Sequence, residues 1–174
     1  MQKSVTAFET RLGWIALAAD AETVFQLTLA HSTRDEAIAA IRSEWAAELR
    51  PTEACGTLVE RIYDYVLGRP DTFQDVSVDT GYLTPLGRRV FDRCRCIPHG
   101  QTRTYGEVAA EAGHARAARA VGQFLASNRT PILVPCHRVV AAGGRLGGFT
   151  APGGVLLKRR LLQIEMGEFN LSGP

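Results

Sequence analysis

Apolar positions in the first thirty residues fall into three short runs, Val5-Thr6-Ala7-Phe8, Trp14-Ile15-Ala16-Leu17 and Val24-Phe25-Gln26-Leu27. Alternation within them is poor, but β-branched and aromatic residues set between Leu12-Gly13 and Asp20-Ala21-Glu22 predict a meander of three antiparallel strands. The period then changes. Thr33 and Glu36 have the spacing of a capping box, and Ala37, Ile38, Ile41 and Trp45 recur at helical intervals toward a stop near Pro51. A second helix gathers Cys55, Leu58, Val59, Ile62 and Val66 on one face and ends at Gly68, because Pro70 prevents its continuation. Trp14, Trp45 and Cys55 are core residues on this reading. Phe73 to Asp79 is expected to form one further strand leading out of this half.

Beyond Thr80 the pattern is mainly helical. Thr84 caps a helix with Pro85 at its first position, and Leu86, Val90, Phe91, Cys94 and Ile97 form its buried stripe. After a turn at Pro98-His99-Gly100, Thr104 and Glu107 form another capping box, opening a short helix that ends near Gly113. A second helix, from about Ala115 to Ser127, follows at once. Two short helices joined by a tight glycine turn are the mark of a helix-turn-helix. Ala115, Ala117, Ala118, Ala120 and Gly122 make the second helix thin enough for close approach, and Arg116, Arg119 and Arg129 along the same stretch favour nucleic acid. Next, Pro131 and Pro135 bracket Ile132-Leu133-Val134, which predicts a short buried segment of fixed direction ending on Cys136 and His137. Val139-Val140 then turns on Gly143-Gly144 and returns to Phe149-Thr150 as a hairpin with a glycine-rich wing. Gly153 to Met166 form the last helix, with Leu156, Leu157, Leu161, Leu162 and Ile164 available for burial and Lys158, Arg159 and Arg160 adding to a basic surface.

With 174 residues, 45% of them hydrophobic, the chain can pack one large domain or two small ones. The net charge of +2 hides a division. Seven basic residues face 13 acidic ones up to Thr80, whereas 13 face five from Gly81 onward. A basic second half suits a polyanion. We place a domain boundary near Thr80, giving domains 1–80 and 81–174. The first residues lack the apolar core of a signal peptide and no apolar run approaches the ~20 residues that span a bilayer, so a cytoplasmic protein without a membrane partner is expected. Cys55, Cys94, Cys96 and Cys136 form no zinc spacing, so neither a metal nor a cofactor is expected. A thiol attacks as thiolate and needs a cationic or hydrogen-bonding neighbour to lower its pKa from about 8.5. Cys136 has two candidates, His137 and Arg138. Cys94 joins the core stripe, and Cys96 falls off it as a partly exposed thiol without a catalytic partner.

Pro135-Cys136-His137-Arg138-Val139, preceded by Pro131-Ile132-Leu133-Val134, resembles the active-site signature of the O6-alkylguanine-DNA alkyltransferases, which move an alkyl group from guanine onto their own cysteine. The resemblance runs without a gap from about Thr84 to Phe149, through Thr104-Tyr105-Gly106-Glu107-Val108-Ala109, Ala117-Ala118-Arg119-Ala120-Val121-Gly122 and Asn128, and resumes in the last helix. It implies an α/β (α+β) fold, with a small ribonuclease-H-like strand-and-helix domain followed by a helical, winged-helix-like alkyltransferase domain. It also implies DNA repair by direct reversal: single-turnover transfer from O6-alkylguanine in double-stranded DNA, by a monomer, with O4-methylthymine and cooperative binding left open. Residue by residue, it makes Cys136 the nucleophile, His137 a base acting through water, Glu165 the group that orients His137, and Asn128 a brace for the turn. Tyr105 would supply a proton or hydrogen bond to the leaving guanine, the backbones of Cys136 and Val139 would accept from its amine, and the Thr150 backbone would donate to O6. The small-residue helix, with Ala118, Ala120, Gly122, Arg116 and Arg129, would enter the minor groove. Arg119 would fill the stack vacated when the nucleotide is extruded, a step costing a few kcal/mol. Phe149 stands where a tyrosine often packs on the base, and Ala151-Pro152 lengthens the following loop. Three other classes fit less well. An alkylation sensor of the alkyltransferase-like type would lack Cys136, a transcription regulator would carry a cysteine-rich metal site, and a cysteine hydrolase would need an oxyanion hole.

Overall fold

The computed structural model describes residues 3–41 and 56–168, with the backbone of 50–51. Trp45, Cys55 and the part of the first predicted helix beyond Ile41 lie outside the described residues. β1 (Ser4–Thr10), β2 (Gly13–Ala19) and β3 (Val24–His31) form the expected meander, with β1 and β2 paired antiparallel from Ser4 with Ala19 to Thr10 with Gly13. A two-residue strand, β4 (Arg50–Pro51), joins β1 in parallel, so the sheet order is β3-β2-β1-β4. The poor alternation of β2 has a direct cause. Ile15, Leu17 and Ala19 enter one core while Ala16 and Ala18 enter another, beneath Ala37 and Ile41. A strand buried on both faces has no polar phase to alternate with.

Helix α1 (Arg34–Ala39) begins as its cap predicts: the Thr33 hydroxyl accepts from the Glu36 N–H at 3.2 Å, and the Glu36 carboxylate accepts from the Ser32 N–H at 3.0 Å. Helix α2 (Gly56–Val66) stops before Gly68, whose φ of +90° glycine alone adopts readily. The strand expected over Phe73 to Asp79 is replaced by a turn, and Val78 alone makes a ladder contact, parallel to Val24. Side chains take the backbone groups a strand would offer. Asp71 accepts from the Phe73 N–H at 2.8 Å, and Arg95 donates to the carbonyls of Phe73 and Val76 at 2.6 and 2.8 Å. Arg61 braces the same turn through Asp71 and Asp75, both at 2.7 Å.

In the second half, Thr84 caps α3 (Pro85–Arg95), which buries Val90, Phe91 and Cys94 and leaves Leu86 partly covered. Helix α4 (Tyr105–Glu111) has its complete capping box and is followed by Gly113 at φ +84°. Helix α5 (Ala118–Ala126) starts three residues later than the small-residue run suggested, since Ala117 offers no side chain to cap it and Ala115 and Arg116 remain in the turn. Gly87 lets α3 meet α5, because a Cβ there would lie 2.9 Å from the Phe124 ring.

The segment between the prolines is a wholly buried turn. Ile132, a β-branched residue, is held at φ +71° there, and the Val134 N–H returns to the Thr130 carbonyl at 2.9 Å. The hairpin expected after Cys136 does not form. β6 (Val139–Val140) instead pairs in parallel with β5 (Arg103–Thr104), and the chain leaves through a turn closed by the Ala141 N–H to Arg145 carbonyl bond at 2.7 Å. The last helix, α6 (Gly154–Glu165), buries Leu157, Leu161, Leu162 and Ile164 as expected, with two corrections. Leu156 is 72% exposed, and Lys158, read as surface charge, is fully enclosed. Lys158 sits one turn before Leu162 and beside Leu157, on the buried stripe, whereas Leu156 turns away from it.

Ile132, Leu133, Leu157, Leu161 and Ile164 pack in one cluster with Leu17, Leu27 and Ile62 of the sheet and α2. Apolar packing therefore crosses the point where the charge balance changes. Among the described residues no helix is long and apolar enough to cross a membrane.

Candidate active site

The buried turn between the prolines delivers Cys136 into a single turn of 3₁₀ helix, Cys136–Arg138. Asn128, just after α5, braces that turn. Its amide donates to the Val134 carbonyl at 2.9 Å and to Cys136 Sγ at 3.1 Å, while its own oxygen accepts from the Thr130 N–H at 3.0 Å. Burial pushes the Cys136 thiol up, against the opposing pull of the Asn128 hydrogen bond and the Lys158 charge. This corrects the expectation of a lowered thiol: the site holds a protonated cysteine with groups around it ready to stabilise the thiolate once formed.

His137 points away from solvent into a fully buried cluster. Its Nε2 lies 2.7 Å from Glu165 Oε1, which assigns the proton to Nε2 and leaves Nδ1 as the basic nitrogen. Glu165 also accepts from Arg138 Nε at 3.0 Å and Nη2 at 2.9 Å, from the Gly100 N–H at 3.0 Å and from the Tyr65 hydroxyl at 2.6 Å. Burial alone would raise the Glu165 carboxyl, but the hydrogen bonds from His137 and Arg138 and the Arg138 charge outweigh it and hold it well below the usual carboxylate range. Burial also lowers His137, so the imidazole is neutral at neutral pH. Arg138, read from the sequence as a neighbour of the thiol, instead neutralises this carboxylate. Tyr65, which sequence reasoning missed, reaches the cluster from α2 and comes within 3.1 Å of His137 Nε2.

Lys158 is the second residue missed. Its ammonium donates to the Val139 carbonyl at 2.6 Å and to the Gly148 carbonyl at 3.3 Å, and stands 5.7 Å from the centre of the Tyr105 ring. Burial lowers its pKa, with Cys136 acting in the opposite sense. Tyr105 is half-buried, and its phenol is pushed up by burial and then by Cys136, so it is a protonated donor. Gly147 faces that phenol: a Cβ at this position would fall 2.9 Å from the Tyr105 oxygen, at a φ of +70°.

Tyr105, Gly122, Leu125, Ala126 and Cys136, with residues 148–150, enclose a cavity of about 210 Å³. Phe149 and Thr150, both predicted to meet substrate, lie on its wall, whereas Val139 is fully buried and does not line it. Gly122, predicted to face DNA, also lines this cavity, and a Cβ added there would lie 3.8 Å from the Tyr105 ring. Arg116 and Arg119 are exposed around the start of α5, with Ala118 and Ala120 half-buried beside them. Arg129 is a further correction. Its guanidinium stacks 3.8 Å from the centre of the Tyr82 ring and lies 3.9 Å from Asp79, so it is engaged with the protein rather than displayed with the other arginines.

A braced cysteine, a buried His–Glu pair and a two-helix element with exposed arginines together define a cysteine-bearing protein of the helix-turn-helix type. The profile described as "6-O-methylguanine DNA methyltransferase, DNA binding domain" matches residues 85–167. The methylated-DNA--protein-cysteine methyltransferase of Mycobacterium tuberculosis (strain H37Rv) is 34% identical over 157 residues, 90% of this chain and 88% of that protein. Its namesake in Methanothermobacter thermautotrophicus is 38% identical over 70% of this chain and 67% of its own length. Among solved structures, that of Mycobacterium tuberculosis OGT in complex with DNA superposes with a TM-score of 0.80 at 30% identity, covering 95% of this chain and 94% of the other. The chain belongs to the methylated-DNA--protein-cysteine methyltransferase family.

Proposed function

We infer that this protein repairs DNA by taking the alkyl group of O6-alkylguanine onto Cys136. The observation that carries the reading is the position of Cys136: its sulfur accepts a hydrogen bond from Asn128, and the residue lies on the wall of a cavity also lined by Tyr105 and Thr150. The sp3 carbon attached to O6 is attacked by thiolate, the C–S bond forms as the C–O6 bond breaks, and the electron pair stays on guanine. Tyr105 supplies the hydrogen bond or proton that makes guanine a tolerable leaving group. His137 Nδ1 takes the thiol proton through a water, and Glu165, bonded to Nε2, stabilises the imidazolium that results.

Duplex DNA is the partner this reading requires. The lesion must leave the stack to reach a recessed thiol, and Arg119, exposed beside the small side chains of Ala118 and Ala120, fills the space left behind. Residues 1–80 then serve as a supporting domain and 81–174 as the alkyltransferase domain, in a monomeric cytoplasmic protein that needs neither metal nor cofactor for the transfer. A thioether is not hydrolysed by any group in this site, so each molecule acts once. Intact-mass analysis after mixing with excess duplex carrying one O6-methylguanine tests this. The expected result is a gain of one methylene per protein and an equal amount of repaired strand. Continued repair beyond one equivalent, or no mass gain, would overturn it.

A further inference from the structure

The amide of Asn128 has two ends, and the turn around it decides which end faces the sulfur. The Thr130 N–H donates to the Asn128 oxygen at 3.0 Å, which leaves the NH2 group for the Val134 carbonyl at 2.9 Å and for Cys136 Sγ at 3.1 Å. That N–H belongs to a planar peptide unit whose other polar atom is the Arg129 carbonyl. The Leu27 N–H of β3 donates to this carbonyl at 2.8 Å, so the sheet helps to set the plane against which the Asn128 amide is oriented.

Arg129 is held a second time, by residues 77–83, the stretch in which the charge balance placed a domain boundary. Its backbone N–H donates to the Tyr82 hydroxyl at 3.4 Å, its guanidinium stacks 3.8 Å from the centre of the Tyr82 ring, and Asp79 lies 3.9 Å away. This platform is itself fixed. The Asp79 N–H donates to the Val24 carbonyl at 2.9 Å, and its carboxylate accepts from the Gly81 N–H at 2.8 Å. The Leu83 N–H donates to the Thr80 carbonyl at 3.0 Å, and the Tyr82 ring meets that of Phe91 in α3 edge-on, with centres 6.5 Å apart. An arginine bonded through both of its peptide units and stacked through its side chain fixes the residue before it, which is Asn128.

We propose that Arg129 and Tyr82 are positioning residues for the transfer: their stack holds the Asn128 amide against the Cys136 sulfur, which makes residues 77–83 part of what readies the nucleophile. The proposal rests on the transfer reaction above and adds no bond change to it. Both residues act through Asn128 rather than on the reacting atoms.

Two pH profiles test it: single-turnover transfer to O6-methylguanine duplex, and alkylation of Cys136 by iodoacetamide, mapped by peptide mass. An amide that drifts from the sulfur stabilises the thiolate less. Arg129→Gln and Tyr82→Leu should each displace both profiles upward by about one pH unit, roughly tenfold in rate at pH 7, and converge with the unmodified protein at high pH. Duplex affinity should stay within about twofold, and Tyr82→Phe, which keeps the stacking face, should recover most of the loss. Lys158 of α6, Tyr105 of α4 and Cys94 of α3, which also bear on the sulfur electrostatically, remain in all these variants. Asn128→Ala separates the proposed route from a direct effect of the Arg129 charge. In that background Arg129→Gln should add no further displacement, whereas a field acting through space would add in full. Unshifted profiles in folded Arg129→Gln and Tyr82→Leu, with or without weaker duplex binding, would overturn the proposal, as would additive displacement in the Asn128→Ala background. Absence of methyl transfer from the unmodified protein would instead remove the reaction on which it rests, and the iodoacetamide profile would still report whether the stack holds Asn128 to the thiol.

Discussion

Replacing Lys158 by methionine separates what holds the fold from what readies the thiol. Methionine keeps an unbranched stem in the same channel and deletes the ammonium. The loss includes a charged hydrogen bond to the Val139 carbonyl at 2.6 Å, a contact of a kind worth about 1.5–3 kcal/mol. Against this, a fully enclosed ammonium has given up its hydration at a cost of several kcal/mol, and removing it recovers that cost. The two effects oppose each other, and the change in unfolding free energy should stay within about 2 kcal/mol of zero. The thiol receives no such offset. Lys158 is one of the groups that favour the Cys136 thiolate, and losing an attraction on the order of 1–2 kcal/mol lowers the thiolate population, and with it the transfer rate at neutral pH, by about tenfold. The Gly148 carbonyl also loses its tether beside Phe149 and Thr150. Urea unfolding and single-turnover transfer to O6-methylguanine duplex, followed from pH 6 to pH 10, measure the two effects separately. A nearly unchanged urea midpoint and a rate profile displaced to higher pH are expected. A profile that coincides with that of the unmodified protein refutes the electrostatic role of Lys158.

Three further outcomes follow from the same geometry. Tyr65→Phe removes a hydroxyl that donates to a buried carboxylate at 2.6 Å, so unfolding free energy should fall by about 1.5–3 kcal/mol and transfer should slow; an unchanged urea midpoint would remove Tyr65 from the cluster. Both His137 and Glu165 titrate lower in the folded protein than in the unfolded chain, which therefore binds more protons below their ordinary values of 6.5 and 4.5. Their contribution to stability is complete above about pH 6.5 and is lost as pH falls, so the urea midpoint should decline from pH 7 to pH 4; a flat profile would contradict the protonation states assigned here. Gly147→Ala must strain a backbone at φ +70°, by about 1–2 kcal/mol, and displace the Tyr105 phenol, whereas Gly148→Ala meets open space. Slower transfer in the first and near-normal transfer in the second is expected, and equal rates would show that the phenol is not held by this contact.

What the sequence made legible was what lies close together along the chain. Cys136 and His137 are adjacent, Thr104 and Glu107 share one helical turn, and the period of α3 located Cys94 in the core. Glu165 was assigned through family likeness, because no local pattern links residue 165 to residue 137. Tyr65 and Lys158 escaped for the same reason. A tyrosine on the apolar stripe of α2 reads as core, and its meaning comes from partners 72 and 100 residues away. A lysine beside two arginines reads as surface charge until the carbonyls of Val139 and Gly148 appear over it. Arg129 was misread in the opposite direction. Its neighbours in sequence suggested a basic DNA-facing stripe, but the ring of Tyr82, from an earlier segment, takes its guanidinium. Two strand expectations failed where side chains or a distant segment claimed the backbone: Arg95 at Phe73 and Val76, and β5 alongside β6.

Cys136 as the sole acceptor of the alkyl group is open to a chemical test. Exposing the protein to duplex bearing O6-methylguanine and mapping the methyl by peptide mass spectrometry, in the unmodified chain and in Cys136→Ala, Cys94→Ala and Cys96→Ala, tests it most directly. S-methylcysteine is expected at position 136 in the unmodified protein and in the Cys94 and Cys96 variants, with no methyl uptake in Cys136→Ala. Methyl found at Cys94 or Cys96, or transfer that survives the loss of Cys136, would contradict it.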